Sequence, residues 1–225
     1  MDTGTNLWLA VCDGSECVVR EDKPYIDAFN KSCHETCRLD LSLPPSPFHG
    51  FHNSPLVVLE ANPLWNEEAV AAYKDPQWRE LAFRELHAEQ GDRLYALDER
   101  WASSQEGRWW RNCMSGLNRA GYSWSFLATH VLSVDFYGYF SRRWAGLPVT
   151  LPSQYFGFHL VGAAMERGSV IVVMRAARFW HVAVPGLSGH SVMANNFRTS
   201  IVSRTSLGDE GFFRVLRALG PPDEI

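Results

Sequence analysis

Leu56-Val57-Val58-Leu59-Glu60-Ala61-Asn62-Pro63-Leu64-Trp65-Asn66 holds a strand, a tight turn and a helix start in succession. Four apolar residues follow Pro55, two of them β-branched, which is the pattern of a strand buried on both faces. Pro63 has no N–H for a ladder and pushes Asn62 out of the helical region. Asn66, followed by Glu67 and Glu68, reads as an N-cap with acids in the first helical turn. In an open α/β sheet such a loop lies at the carboxyl edge, where ligands bind. It would present Asn62, Trp65 and Asn66 there.

The same rhythm recurs along the chain. Glu67–Tyr73 and Pro76–Gln90 read as helices, the second with Trp78, Leu81, Ala82, Glu85 and Leu86 at helical spacing. Trp109–Arg119 and Ser123–Ala128 follow as helices, with Trp109 and Trp110 read as packing residues. His130–Phe136 is a second strand, Ser169–Met174 a third and Ser191–Ala194 a short fourth. A helix capped by Ser153 and closed by Gly168 precedes the third strand, and Glu210–Leu219 forms the last helix. Each strand runs into a polar or aromatic loop: 62–66, 135–143, 175–181 and 195–203. These elements predict an α/β fold, a three-layer α/β/α sandwich on a central, mainly parallel four-stranded sheet. They gather the four loops at one edge, in a basic, aromatic, amide-rich cleft.

The chain has 225 residues, enough for one such domain at 46–225 with an N-terminal extension at 1–45. No apolar run approaches the roughly 20 residues of a membrane span. Met1-Asp2-Thr3 opens without a basic region and an apolar core, so an intracellular, cytoplasmic protein with reduced cysteines is expected. The net charge of −4 speaks against indiscriminate nucleic-acid binding. From residue 141 onward, however, Arg142, Arg143, Arg167, Arg175, Arg178, Arg198, Arg204, Arg214 and Arg217 outnumber the acids. Arginine is the residue suited to forked phosphate contacts, although ordinary surface charge explains the excess as well.

Residues 1–45 are the least legible. Asn6–Ala10 suits a short strand and Tyr25–Thr36 a helix. Cys12, Cys17, Cys33 and Cys37, with His34, resemble two halves of a zinc site at unusual spacing, and unligated thiols are the favoured state. Leu43–Gly50 is a stiff lead-in that delivers Phe48 either into the core or toward the first loop. The loop Tyr137–Trp144 offers aromatic faces beside arginines, suited to base stacking and phosphate neutralisation. An aromatic core cluster with a basic rim is the packing alternative.

Taken together, Leu59-Glu60-Ala61-Asn62-Pro63, Val134-Asp135-Phe136-Tyr137-Gly138-Tyr139-Phe140-Ser141, Leu151-Pro152-Ser153-Gln154-Tyr155 and the strand leading to Arg175 and Trp180 resemble the uracil-DNA glycosylase superfamily. Within it, they are most similar to the divergent bacterial and phage members whose first motif is an Asn-Pro-Gly loop. The resemblance spans roughly residues 44–219 and implies a monofunctional DNA glycosylase without cofactor or metal, acting as a monomer. A base is flipped into a pocket. Asn62 positions the water that captures the electrophilic sugar, and Trp65 or Phe48 stacks on the base. The last loop, with Asn195, Asn196, Arg198, Ser200 and Ser203, holds the backbone and wedges the gap. Tyr139, Ser141, Arg142, Arg143 and Arg175 complete the DNA contacts.

The chain departs from that pattern in three places. Leu64 stands where the narrower relatives have glycine. The last loop lacks their histidine, which leaves His181 as the candidate for the leaving-group contact. Glu60 and Asp135, beside Phe136, supply carboxylates that a plain uracil pocket does not require. Those acids suggest a cytosine-type or hypermodified pyrimidine, and with it the removal of modified phage DNA bases in anti-phage defence. Their structural alternative is pairing with Arg175 or a backbone donor. Two other readings stay open: a non-catalytic binder of single-stranded or damaged nucleic acid, and a phosphoester or nucleotide hydrolase using Glu60, Asp135 and His181.

Overall fold

A computed structural model describes residues 4–194 and 200–222. The protein is α/β, with a five-stranded, mainly parallel sheet in the order β1-β3-β2-β4-β5. The strands are β1 (Phe48–His49), β2 (Leu56–Glu60), β3 (Val131–Asp135), β4 (Val170–Val173) and β5 (Val192–Met193). The sheet therefore has one strand more than the four expected. The extra strand, β1, has only two residues and comes straight out of the proline-rich lead-in, too short to leave a periodic signal.

Leu56, Val57, Val58 and Leu59 are all fully buried, as a strand covered on both faces requires. β2 and β4 run parallel, with Leu56 opposite Val170 and Leu59 opposite Val173. β5 continues in the same direction, with Val173 opposite Met193. The chain passes from β2 to β3 on one side and then crosses to β4 on the other. The strand order thus reverses at β2, and open α/β sheets bind ligands outside the carboxyl ends of strands at such a point. Glu60 is the last residue of β2, and Asn62 follows two positions later.

Two compact units are present, each discontinuous in sequence. The first consists of Met1–Phe48, Ala61–Glu89 and Asp135–His159, so the N-terminal segment packs with both loops of the Asn-Pro region. The second consists of His49–Glu60, Gln90–Val134 and Leu160–Ile225. In the second unit the last helix, Arg204–Leu219, packs on β2, β4 and β5. It starts earlier than the expected Glu210, capped by Ser203, and is interrupted at Gly208, whose φ of 71° is not helical.

Other local expectations change. Residues 7–10 form a 3-10 turn capped by Asn6, not a strand. The helix expected over 109–119 is two, Gln105–Cys113 and Ser115–Arg119. In the second of these the chain at Val202 comes so close that a Cβ on Gly116 would lie 2.2 Å from the Val202 carbonyl oxygen. Ala177–Ala183, read from sequence as part of a loop, is a helix. Among the described residues no helix is long and apolar enough to cross a membrane.

Candidate functional site

In the first unit the loop after β2 and the loop after β3 are laced together. Tyr137 N donates to Ala61 O at 3.0 Å, Ser141 N to Pro63 O at 3.3 Å and Trp65 N to Ser141 O at 2.9 Å. This places Leu64 opposite Ser141 as an isolated parallel bridge. The Asn62 side chain sits within this lacing. Its Nδ2 faces Ser141 Oγ at 2.9 Å, Pro63 O at 3.0 Å and Tyr139 O at 3.3 Å. The two carbonyls can only accept, and Ser141 Oγ spends its own proton on Arg143 O at 3.1 Å. The atom facing these three must therefore be the amide nitrogen, which fixes which way the amide is turned. Asn62 is half-buried, and among the described residues nothing donates to its Oδ1. The outcome is a carbonyl acceptor with a preset direction.

Trp65 is fixed as firmly. Its Nε1 donates to Asp40 Oδ2 at 2.8 Å, and the Arg142 guanidinium lies 4.0 Å from the centre of its ring. Arg142 and Arg143 are exposed, and among the described residues neither guanidinium forms an ion pair. Ser141 is buried and acts on Asn62 through its hydroxyl, which leaves it no surface for phosphate.

Two aromatic assignments are corrected. Tyr139 is wholly buried; its hydroxyl donates to Asp22 Oδ2 at 2.7 Å and accepts from Val19 N at 3.2 Å, so it cannot reach DNA. Phe48 is only 2% exposed and packs edge-on against Phe156 at 5.5 Å, which is a core role and not a stacking face. Phe136 is also nearly buried, between Tyr137 and Phe158, and its carbonyl accepts from Gln154 Nε2 at 2.8 Å. Asp135, half-buried at the end of β3, donates its backbone N–H to Pro47 O at 2.9 Å.

In the second unit the chain ends of β2 and β4 meet. Glu60 is buried, and its Oε2 lies 4.0 Å from Arg175 Nε, the pairing raised as the structural alternative for this acid. Arg175 Nε also donates to the buried Ser200 Oγ at 3.1 Å, which joins the third loop to the fourth. The next residue, Ala176, is the one non-glycine with positive φ among the described residues, at 53°. Backbone strain of this kind costs roughly 1–3 kcal/mol and concentrates at functional sites. Trp180 is fully buried and donates Nε1–H to Glu60 O at 2.8 Å. Cys113, also buried here, has its thiol pushed well up by burial and then by the Glu60 charge. His181 sits half-buried on the helix after β4, with Nε2 at 3.4 Å from Ser191 Oγ. Ser203, half-buried, is the N-cap of the last helix, its side chain accepting from Ser206 N. Asn195, Asn196 and Arg198 lie outside the described residues.

The expected loops therefore assemble in pairs: the first with the second in one unit, and the third with the described end of the fourth, at Ser200, in the other. Sequence reasoning missed Asp22 and Asp40, polar residues whose partners Tyr139, Ser153 and Trp65 lie far along the chain. The cysteine pairs do not close a metal site. Among the described residues no three His, Cys, Asp or Glu side chains come together in a way that could hold an ion. A recess of about 870 Å³ in the second unit, between the last helix and the turn at Ala120–Tyr122, contains none of the candidate residues.

Loop two also carries a titration signature. Tyr137 is buried, with its hydroxyl accepting from Leu147 N at 2.6 Å, and burial pushes its pKa up to about 12. The folded state therefore favours the neutral phenol. The associated stability is fully present below the ordinary tyrosine pKa of about 10 and is lost as pH rises through about 12. An ultraviolet titration at 295 nm should show Tyr137→Phe removing a late-ionising phenol and leaving the early-ionising ones unchanged.

Scans against protein-family models, the curated proteins and the solved structures find no match for this chain.

Proposed function

We propose that this chain is a monofunctional DNA glycosylase built on a uracil-DNA glycosylase-like α/β/α sandwich. It flips out a modified or damaged base, a pyrimidine, and hydrolyses its N-glycosidic bond. The observation that carries the reading is the Asn62 amide, whose nitrogen is held by three acceptors and whose oxygen is left to accept. Water bound at Oδ1 would be aimed by a group that cannot rotate away. As the bond from the sugar C1′ to the base nitrogen stretches, its electron pair leaves with the base and C1′ becomes electrophilic. The water oxygen then bonds to C1′ and its proton passes to solvent or to the departing base. Capture of so reactive a carbon depends on position more than on base strength, so an amide suffices where a carboxylate would otherwise be sought.

The carboxylates of Glu60 and Asp135, which a plain uracil pocket does not require, favour a cytosine-type or hypermodified base. His181 is assigned to the leaving group. The chain's lysines, Lys23, Lys31 and Lys74, all lie outside the four loops, so hydrolysis without a Schiff base is the expected course. The cell would use this activity in the cytoplasm, against modified phage DNA.

The test is incubation with single- and double-stranded DNAs carrying different pyrimidines, followed by alkali cleavage. Alkali-labile sites at one class of base, formed equally well with a chelator present, are the expected result. DNA binding with no labile site at any base would make the protein a non-catalytic binder. Chelator-sensitive backbone or nucleotide cleavage would favour the phosphoester reading.

A further inference from the structure

The N-terminal segment touches the candidate site at more points than an extension needs. Asp40 N donates to Phe140 O at 2.8 Å, Arg143 N to Thr36 O at 2.8 Å and Ser46 N to Gly138 O at 2.7 Å. A Cβ on Gly138 would lie 2.8 Å from both Trp8 and Pro47, so the loop lies directly against this segment. Asp40 also takes the Trp65 indole N–H on Oδ2, while its Oδ1 accepts from Ser42 N and Oγ at 2.7 and 2.6 Å.

The most deeply placed of these groups is Asp22. It is fully buried, with Oδ2 accepting from the Tyr139 hydroxyl at 2.7 Å and Oδ1 from Ser153 N at 3.0 Å. Tyr139 in turn gives its main-chain carbonyl to Asn62 Nδ2 at 3.3 Å. Burying a carboxylate is costly, and an apolar residue of similar volume would commonly stabilise a core as well or better. What a carboxylate supplies here is two acceptors for two donors that come from distant parts of the chain. Asparagine has one acceptor and would turn an N–H toward one of those donors.

We infer that the N-terminal segment is part of the site and that Asp22 is a positioning residue, holding Tyr139 so that its carbonyl keeps the Asn62 amide turned with Oδ1 outward. Asp40 does the same for Trp65. Only the turnover arm of the test below rests on the glycosylase reading.

The test uses the full chain with ¹⁵N labelling. The side-chain NH₂ signal of Asn62 is identified by its loss in Asn62→Ala. Asp22→Asn and Tyr139→Phe should both shift that signal and speed its exchange with solvent by about five- to tenfold, the loss of one hydrogen bond of ordinary strength. If base release is found, kcat should fall in both variants with KM unchanged, a split that general loosening of the fold would not give. An unchanged Asn62 signal and exchange rate in either folded variant overturns the proposal. So does failure of both variants to fold, which would make Asp22 a folding residue only. If no base is released from any DNA, the glycosylase reading fails and the exchange arm still decides the role of Asp22.

Discussion

Asn62→Ala should lower the single-turnover rate of base release by about a hundredfold or more and leave DNA affinity unchanged. A misplacement of about 1 Å at a reacting centre costs a factor of that order, about 2.7 kcal/mol of barrier. The affinity should persist because Asn62 Nδ2 is spent on Pro63, Tyr139 and Ser141, inside the protein. Truncation to alanine leaves the acceptors of the buried Tyr139 and Ser141 without that donor, so stability should fall by about 1–3 kcal/mol. Asn62→Asp should be no milder. It keeps an outward oxygen but turns a second one toward three acceptors, and the loop must shift to relieve the repulsion. Equal loss of affinity and rate in Asn62→Ala would mean that the residue binds and does not catalyse.

Trp180→Ala should destabilise the protein more than any change at the surface, by about 3–5 kcal/mol for the cavity alone. The ring is completely buried in the second unit. Its N–H also reaches Glu60 O at 2.8 Å, so truncation withdraws a donor from the carboxyl end of β2. Trp180→Phe keeps most of the ring and removes that N–H, and should cost about 1–3 kcal/mol. Against a total stability of roughly 5–15 kcal/mol, the alanine variant should lose a large part of its margin. Urea unfolding measures both changes, read as a lower midpoint at unchanged slope. A midpoint for Trp180→Ala equal to that of the native protein would mean that the ring does not hold the end of β2.

The parts of the fold that local chemistry dictates could be read from the sequence. The β2 strand was legible because four apolar residues between Pro55 and Asn62-Pro63 leave little choice, and the helix cap at Asn66 because its side chain does accept from Ala69 N. The helix at Ala177–Ala183 was obscured by Arg175, Arg178 and His181, charged residues that suggested a loop. For Phe48 and Tyr139 the sequence leaves a recognition face and core packing both open, because a ring's fate depends on packing that no local pattern encodes; both rings are buried. For the same reason residues 1–45 resisted reading. Asp22 acquires its role from a tyrosine 117 positions away and an amide 131 positions away. Asn62 stood out from sequence, but the reason its amide is fixed, Ser141 and two carbonyls, became visible only in three dimensions.

The central claim is that Asn62 Oδ1 aims water at a sugar carbon, and a crystal structure with an oligonucleotide containing a stable abasic-site analogue tests it most directly. The account predicts a water on Asn62 Oδ1 at about 3–3.5 Å from the sugar C1′, with Nδ2 still on Ser141 Oγ. A sugar bound away from Asn62, or an amide turned so that Nδ2 faces the sugar, would contradict it.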